Sequence, residues 1–263
     1  MNIQIKEDEM QKPNKKEVKK YKAIFFDFGG TLLDAESDVV AHLNMMKDII
    51  QKYHLSASEE ELVHKYHSFI FTKEMTLLDI DPQEKSFAPL RESTKRAFKG
   101  ILAEYNIHPS AEDFYWFKEL YFENHKKYIK LFPETFEIIE QIRNNDSIHL
   151  GIISDIDNDY MDFQFNVFGI KEMFDSITTS EEVQIYKPEA KIFQVALNKA
   201  GCQGEESIIV GDSYKKDIIG GKDIGMTTIW INKSSEKDTD KNKADFIVTH
   251  LKEIFPILNN LIK

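Results

Sequence analysis

The sequence predicts an α/β protein with a parallel β-sheet at its centre and a helical insertion after the first strand. Short apolar runs that end in Gly, Ser, Asp or Asn alternate with helical patterns, an order typical of a parallel sheet covered by helices on both faces. Residues 35–127 break this order, because they carry helical spacing and no strand-like alternation. A segment of that length is too long for a plain loop in a compact domain, so we expect an inserted helical unit.

Six runs are predicted to be strands. The run 23–28 contains Ile24, Phe25 and Phe26 in succession and stops at Gly29, which suits a strand buried on both faces. The other predicted strands are residues 148–154, 176–179, 207–211, 227–231 and 246–249.

Helical patterns separate the predicted strands. They cover residues 133–144, 158–168, 189–200, 214–223 and 251–261. Within the insertion, helical spacing of apolar residues is clearest at Val39, Leu43, Met46 and Ile50, and again at Phe114, Phe117 and Tyr121. We therefore assign residues 20–33 and 128–263 to the core and residues 34–127 to the insertion. Residues 1–19 are polar and are expected to form a flexible extension, and residues 233–243 an exposed flexible loop.

The charge balance limits the kinds of partner. With 34 basic and 45 acidic side chains the formal net charge is −11, which argues against nucleic acid or an anionic membrane as a partner. No apolar run approaches the roughly 20 residues that a membrane-spanning helix needs. The single cysteine, Cys202, fits a reducing compartment. We expect a cytoplasmic protein that acts on a small molecule, and the sequence leaves its oligomeric state open.

Reactive side chains follow several predicted strands. Ligands bind to open parallel sheets at the carboxyl ends of the strands, where strand order reverses. The residues expected at that edge are Asp27, Ser154, Asp155, Lys187, Asp212 and Asp217. Paired carboxylates bind a hard cation such as Mg²⁺. Ser154, Lys187 and the backbone N–H groups after Asp27 could then hold phosphate oxygens while an aspartate attacks phosphorus.

These residues resemble the four motifs of the haloacid dehalogenase (HAD) superfamily of hydrolases. The first motif corresponds to 27–32 (Asp-Phe-Gly-Gly-Thr-Leu), the second to Ser154, the third to Lys187 before Pro188, and the fourth to Gly211-Asp212 with Asp217. The resemblance extends from about residue 22 to the C-terminus. It implies a Rossmann-like, HAD-like core, and it implies that the insertion is a helical cap of the C1 type that closes over the site and selects substrates.

The resemblance also implies a role for each matching residue. Asp27 would be the nucleophile and a Mg²⁺ ligand, and Asp212 would be the second carboxylate ligand. Gly29 would offer its backbone carbonyl to the metal, and Asp217 would support the metal or orient Lys187. Ser154 and Lys187 would bind the phosphoryl group, and Gly29, Gly30 and Asp155 would also lie at the substrate. The function implied is Mg²⁺-dependent hydrolysis of small phosphomonoesters through an aspartyl-phosphate.

One residue departs from the pattern of the phosphatases in this superfamily. They carry a second aspartate two positions after the nucleophile, as general acid and base, and this chain has Gly29 there. Such a group is worth roughly 10² to 10⁴ in rate, so its loss predicts slow turnover and a preference for good leaving groups.

Three explanations for Gly29 remain open. An acid from the cap entrance could replace the missing one, and the candidates are Asp34, Asp38 and His42. The protein could instead be a 2-haloacid dehalogenase-like hydrolase, although such enzymes need no Mg²⁺ and the carboxylates of the fourth motif are present. It could also be a catalytically weakened binding or regulatory protein. The retained cluster of like charges argues against this alternative, because such a cluster is costly and a binding scaffold has no need of it.

Two histidines in the insertion suggest a metal site only weakly. His64 and His67 are three positions apart in a helical pattern, and no further ligand accompanies them in the sequence. We expect them to lie on a partly exposed helix face.

Overall fold

The protein is centred on a six-stranded parallel sheet. The structure, a computed structural model, describes residues 21–71, 87–233 and 243–262, so the predicted extension 1–19 and most of the predicted loop 233–243 lie outside the described residues. The strands are β1 Ala23–Phe26, β2 His149–Ser154, β3 Ser176–Thr179, β4 Ser207–Gly211, β5 Thr227–Ile231 and β6 Phe246–Val248. Their order across the sheet is β3-β2-β1-β4-β5-β6. This confirms the predicted α/β class.

Strand β1 is the centre of the sheet because its side chains are apolar on both faces. Phe26 pairs in register with Ile152 of β2 on one side and with Val210 of β4 on the other. The chain first builds outward from β1 through β2 to β3 and then crosses back to β4. The strand order therefore reverses between β1 and β4, and their carboxyl ends form the crevice where an open sheet binds ligands.

The described residues of the insertion form four long helices, and the two stretches of predicted apolar spacing lie in the first and the last of them. The helices are α1 Ala35–Tyr53, α2 Glu59–Phe71, α3 Leu90–Ala103 and α4 Ala111–Tyr128. Helix α1 packs against α4 and α2, and α2 packs against α3. The chain enters and leaves the insertion at adjacent points, since the Asp34 N–H donates to the Lys130 carbonyl at 2.8 Å and the Phe132 N–H donates to the Leu32 carbonyl at 2.9 Å.

The remaining helices flank the sheet. They are α5 Thr135–Arg143, α6 Asn158–Phe168, α7 Ser180–Val183, α8 Ala190–Ala200, α9 Gly220–Asp223 and α10 Ile254–Leu261. Short 3₁₀ turns lie at Lys171–Met173, Gly204–Glu206 and Leu251–Glu253. On one face of the sheet the α8 side chains Ile192, Phe193 and Ala196 pack with Phe25 and Ile209 in a buried apolar cluster.

Two predicted helical patterns differ from the structure. The pattern 214–223 divides into a π-helical turn, Tyr214–Ile219, followed by α9. Single π-turns commonly occur at functional sites, and this one contains Asp217. In α1, the predicted apolar stripe includes Val39, but Val39 is 39% exposed and the buried face carries His42 instead. The stripe was misplaced because a polar histidine occupies the interior position.

The helical insertion is attached to the core through Asp157, a fully buried residue before α6. Its carboxylate accepts hydrogen bonds from the backbone N–H of Leu90 at 2.7 Å and of Arg91 at 2.8 Å, at the first turn of α3. The Arg91 guanidinium also donates to it at 3.2 Å. Burial raises the pKa of Asp157, while these donors favour its charged form. A core carboxylate thus caps a helix of the insertion.

A second contact joins the insertion to the core beside Lys187. The Tyr186 hydroxyl donates to the Ala88 carbonyl at 2.7 Å, and the Tyr186 ring lies 4.9 Å from the ring of Phe87. Among the described residues no helix is both long and apolar enough to cross a lipid bilayer.

We expect Asp157→Asn to destabilise the protein. The amide would replace one carboxylate oxygen by an NH₂ group, which cannot accept a hydrogen bond from the buried N–H groups of α3. The expected loss in the free energy of unfolding is about 1–3 kcal/mol, measured by urea denaturation. Asp159→Asn is the matched control, since Asp159 is on α6, is 43% exposed at its side chain, and lies 3.6 Å from Arg91. Its loss should stay below about 1 kcal/mol. Equal losses in the two variants would contradict the capping role.

Candidate active site

Lys187 lies at the centre of the site. Its ammonium donates to Asp27 Oδ1 at 2.8 Å, to Asp217 Oδ1 at 2.6 Å and to the Ile153 carbonyl at 3.1 Å. The residue is 4% exposed. Burial acts to lower the pKa of Lys187, but the carboxylates of Asp217 and Asp27 outweigh it and raise that pKa above its usual value. Lys187 therefore stays charged and holds two carboxylates in fixed positions.

Asp27 and Ser154 are brought together by adjacent strands. Asp27 follows the end of β1, and its backbone N–H donates to the Val210 carbonyl of β4 at 2.9 Å, which extends the sheet pairing to this residue. Ser154 is the last residue of β2, which pairs with β1. Both residues are buried. The prediction from strand ends places both residues correctly at this edge of the sheet.

Asp212 follows β4, and its neighbours leave it little freedom. Its backbone carbonyl accepts the Trp230 indole N–H at 3.0 Å, and its carboxylate accepts the Thr31 hydroxyl at 3.4 Å. A Cβ on Gly30 would come within 2.4 Å of Asp212 Oδ2, and Gly30 has a positive φ of 78°. Glycine at position 30 is thus required both by the turn and by the close approach of this carboxylate.

Asp217 is fully buried in the π-helical turn, and its two carboxylate oxygens have different donors. Oδ1 accepts the Lys187 ammonium, and Oδ2 accepts the Ser213 backbone N–H at 3.0 Å. A Cβ on Gly211 would lie 2.3 Å from this carboxylate. These contacts favour the expectation that Asp217 orients Lys187.

The carboxylates of Asp27, Asp212 and Asp217 together form a cation-type ligand set. One oxygen from each lies within 4.8 Å of the others. Burial, followed by the Asp27 charge, raises the pKa of Asp212 to about 6, and burial raises that of Asp217. The ammonium groups of Lys187 and Lys233 do not balance three carboxylates, so the donor set fits a bound hard divalent cation.

Two of the predicted substrate-binding groups have other partners. Asp155 Oδ1 accepts the backbone N–H of Lys187 at 2.9 Å, and its Oδ2 lies 3.0 Å from the Lys216 ammonium. The Gly30 N–H donates to the Leu33 carbonyl at 2.9 Å. The Asp155 side chain thus positions the loop of Lys187, and the Gly30 N–H closes the turn after β1. That the two residues also lie at the substrate stays a prediction.

Gly29 lies in open space. A Cβ at this position would have no atom within 4 Å, so a side chain is sterically permitted. Within the described residues, the backbone N–H groups of Phe28 and Gly29 have no hydrogen-bond partner, whereas those of residues 30–33 are bonded within the turn. Two donors beside Asp27 are therefore free for an anion.

The three cap-entrance candidates for a replacement acid are engaged elsewhere. Asp34 caps α1, where its carboxylate accepts the Glu36 N–H at 3.0 Å. Asp38 and His42 face the interior of the insertion. Burial acts to raise the pKa of Asp38, but contacts with His42 and His125 lower it to about 2, and burial lowers the pKa of His42 to about 3. Neither group carries a proton to donate near neutral pH.

Sequence reasoning missed Lys233, Thr31 and Trp230. The Lys233 ammonium donates to the Gly30 carbonyl and lies 4.1 Å from the Phe132 ring centroid. Trp230 lies at the carboxyl end of β5 and Lys233 just after it. A search at the carboxyl ends of the strands, which identified the other site residues, could therefore also have identified these two.

The fold and the site define the class of this protein as an α/β enzyme whose site is built from carboxylates and one lysine. The sequence profile of haloacid dehalogenase-like hydrolases matches residues 24–231, and the chain belongs to that family. The match spans β1 to β5 and includes every residue of the site described above except Lys233.

Several relatives are phosphatases by name. The glyceraldehyde 3-phosphate phosphatase of Methanocaldococcus jannaschii is 31% identical over 136 residues, which are 51% of this chain and 59% of that relative. Pyrophosphatase PpaX of Oceanobacillus iheyensis is 25% identical over 91% of this chain and 97% of its own length. The crystal structure of a HAD phosphatase from Thermococcus onnurineus has a TM-score of 0.64 at 25% identity and covers 90% of this chain and 97% of its own.

Solved structures of 2-haloacid dehalogenases share the fold as well. Their sequence identity to this chain is 15 to 22%, so the likeness concerns the fold alone.

The raised pKa of Asp212 predicts a pH-dependent stability difference. When the pKa of a carboxyl is higher in the folded state, its contribution to stability is full below the unfolded value, here 3.8, and is lost as the pH rises through about 6. In the presence of EDTA, Asp212→Asn should therefore gain stability relative to wild type across that window, by about 3 kcal/mol at most. Urea unfolding at pH 4 and pH 7 measures this, and a pH-independent difference would contradict it.

Proposed function

We propose that this protein hydrolyses small phosphomonoesters in a Mg²⁺-dependent reaction through an aspartyl-phosphate on Asp27. The observation that carries the proposal is the buried Lys187 ammonium between Asp27 and Asp217, with the Asp212 carboxylate beside them. The phosphatase names of the relatives support the same reaction class.

Asp27, Asp212 and the Gly29 carbonyl are the groups proposed to hold Mg²⁺. The ion would neutralise the carboxylates and polarise a phosphoryl oxygen. Asp217 would not need to bind the ion directly, since both of its oxygens have protein donors.

Four groups around Asp27 are positioned to bind a phosphoryl group. The Phe28 and Gly29 N–H groups are unpaired among the described residues, Ser154 adds a hydroxyl, and Lys187 adds a full positive charge. Hydrogen bonds from charged donors and from backbone amides stabilise the charge that spreads over the equatorial oxygens of a transferring phosphoryl group.

Asp27 is proposed to react in two steps. The Lys187 ammonium holds Oδ1, and a carboxylate oxygen of Asp27 attacks phosphorus, so that a bond from Asp27 to phosphorus forms as the bond to the ester oxygen breaks. Water then attacks the same phosphorus, the bond to Asp27 breaks, and phosphate leaves with the carboxylate restored.

Gly29 makes both proposed steps harder. A leaving alkoxide has no carboxylic acid at position 29 to protonate it, and the attacking water has no carboxylate there to take its proton. We therefore propose slow turnover with a preference for aryl or acyl phosphates, whose leaving groups depart as stable anions. An initial burst of leaving group is expected when the second step limits the rate.

The dehalogenase alternative is less well supported by the site. Displacement of halide at carbon needs no cation, yet the raised pKa of Asp212 and the crowding of three carboxylates favour one. A purely binding role would not need Lys187 and Asp27 in contact. The proposal also includes a cap role for helices α1–α4 and, from the single cysteine Cys202, a cytoplasmic location.

The first expected result concerns Asp27. With an aryl phosphate, phosphate release should require Mg²⁺, and Asp27→Asn should lower kcat by a factor of about 10⁴ or more because the nucleophile is lost. Asp34→Asn is the control and should keep kcat within about threefold, since Asp34 caps a helix. Halide release from a 2-haloacid in EDTA, or no reaction at all, would overturn the phosphatase proposal.

The second expected result concerns position 29. Gly29→Asp should raise kcat for an alkyl phosphate by a factor of about 10² to 10⁴, because it restores a general acid in space that is open. Gly29→Asn has the same shape without the acid and should give no such rise. Steady-state rates of the two variants decide the matter, and equal rates would show that proton transfer at position 29 does not limit turnover.

A further inference from the structure

A group of four polar side chains lies inside the helical insertion, away from the residues used above for phosphate chemistry. It consists of Asp38 and His42 on α1, His67 on α2 and His125 on α4, and we call it the histidine cluster. His125 is fully buried and His42 nearly so. Asp38 and His42 are four positions apart and therefore share one face of α1.

The distances in the histidine cluster match those between the ligands of a small tetrahedral cation. His125 Nε2 lies 3.2 Å from Asp38 Oδ1, His42 Nδ1 lies 3.6 Å from Asp38 Oδ2, and His67 Nε2 lies 3.1 Å from His42 Nδ1. Ligand atoms ~2.0–2.1 Å from a tetrahedral Zn²⁺ are ~3.3–3.4 Å from one another. One atom each from Asp38, His42 and His125 also lies within 4.8 Å of the other two.

His125 supplies independent support for a cation. Its Nδ1 lies 2.7 Å from the Tyr121 backbone carbonyl, which can only accept, so Nδ1 must carry the proton. Its other nitrogen, the buried Nε2, lies 3.2 Å from Asp38 Oδ1. Among the described residues this Nε2 makes no hydrogen bond of acceptable geometry. A metal ion bound to Nε2 and Oδ1 would satisfy both atoms.

The second nitrogen of His125 is held as in known metal sites. Its Nδ1–H donates to the Tyr121 backbone carbonyl at 2.7 Å. Such a bond is the usual way in which the other nitrogen of a metal-ligating histidine is fixed.

We propose that the histidine cluster is a binding site for a divalent transition metal, best matched by Zn²⁺. Asp38, His42 and His125 would supply three ligands and leave the fourth position of a tetrahedron for water, with His67 beside His42 at the edge of the site. The metal would join α1 and α4, because each of these helices contributes at least one ligand. This role is separate from the proposed phosphatase reaction and does not depend on it.

The test uses the full-length protein after treatment with EDTA. Zn²⁺ is added in the presence of excess Mg²⁺ to occupy the carboxylate site, unbound metal is removed, and the zinc content is measured. We expect His125→Asn and Asp38→Asn each to bind one Zn²⁺ per chain fewer than wild type. His64→Asn is the matched control, since His64 is exposed on α2, and it should bind as much as wild type.

Two measurements on the wild-type protein keep the test decisive where a variant fails to fold. Zn²⁺ at about a hundredfold above its Kd should raise Tm by about 5 to 10 °C, and excess Mg²⁺ alone should not reproduce this rise. Co²⁺ in its place should give the intense visible absorption of a four-coordinate ion with nitrogen ligands. Equal zinc content in wild type and in folded His125→Asn, or a Co²⁺ spectrum of a six-coordinate oxygen site, would overturn the proposal and leave a proton between His125 and Asp38.

Discussion

The electrostatic balance around Lys187 is the constraint on which the site depends. One buried ammonium lies against Asp27 and Asp217, and Asp212 adds a third carboxylate in reach of the same point. Removing so many charges from water is costly unless their mutual geometry is favourable and their remaining lone pairs are satisfied. The fold meets that demand by placing the carboxylates at neighbouring strand ends, with glycines at positions 30 and 211 that let carboxylates approach the backbone.

Much of the fold and of this site follows from local sequence. The predicted bounds of β3, β4, β5 and α6 agree with the structure, because short β-rich runs and a helix that ends at a glycine carry their signals within a few residues. The site residues were predictable for a related reason: a parallel sheet places the ends of its strands together, whatever their separation in the chain. The local sequence did not show which protein atoms these polar groups contact, such as the Lys187 N–H on Asp155 and the Leu33 carbonyl on the Gly30 N–H.

Contacts between distant helices were beyond local patterns altogether. His42 and His125 approach only because α1 packs against α4, and nothing near either residue marks it as part of a cluster. His64 is exposed and His67 half-buried, as expected of a partly exposed helix face, but nothing near His67 indicated that its ring contacts His42. The same limitation hid Asp157, which reads as an ordinary residue before a helix and yet binds the first turn of α3 from the other part of the chain.

Position 29 lacks the acidic side chain of the related phosphatases, and steric crowding does not require a glycine there. A Cβ at this position would meet nothing within 4 Å. Glycine codons that end in a pyrimidine differ from aspartate codons by their middle base alone. A single base change can therefore replace glycine by aspartate at this position, and a side chain there would cause no steric clash in the fold. Under the proposed reaction, that single mutation would change how long a phosphorylated Asp27 persists.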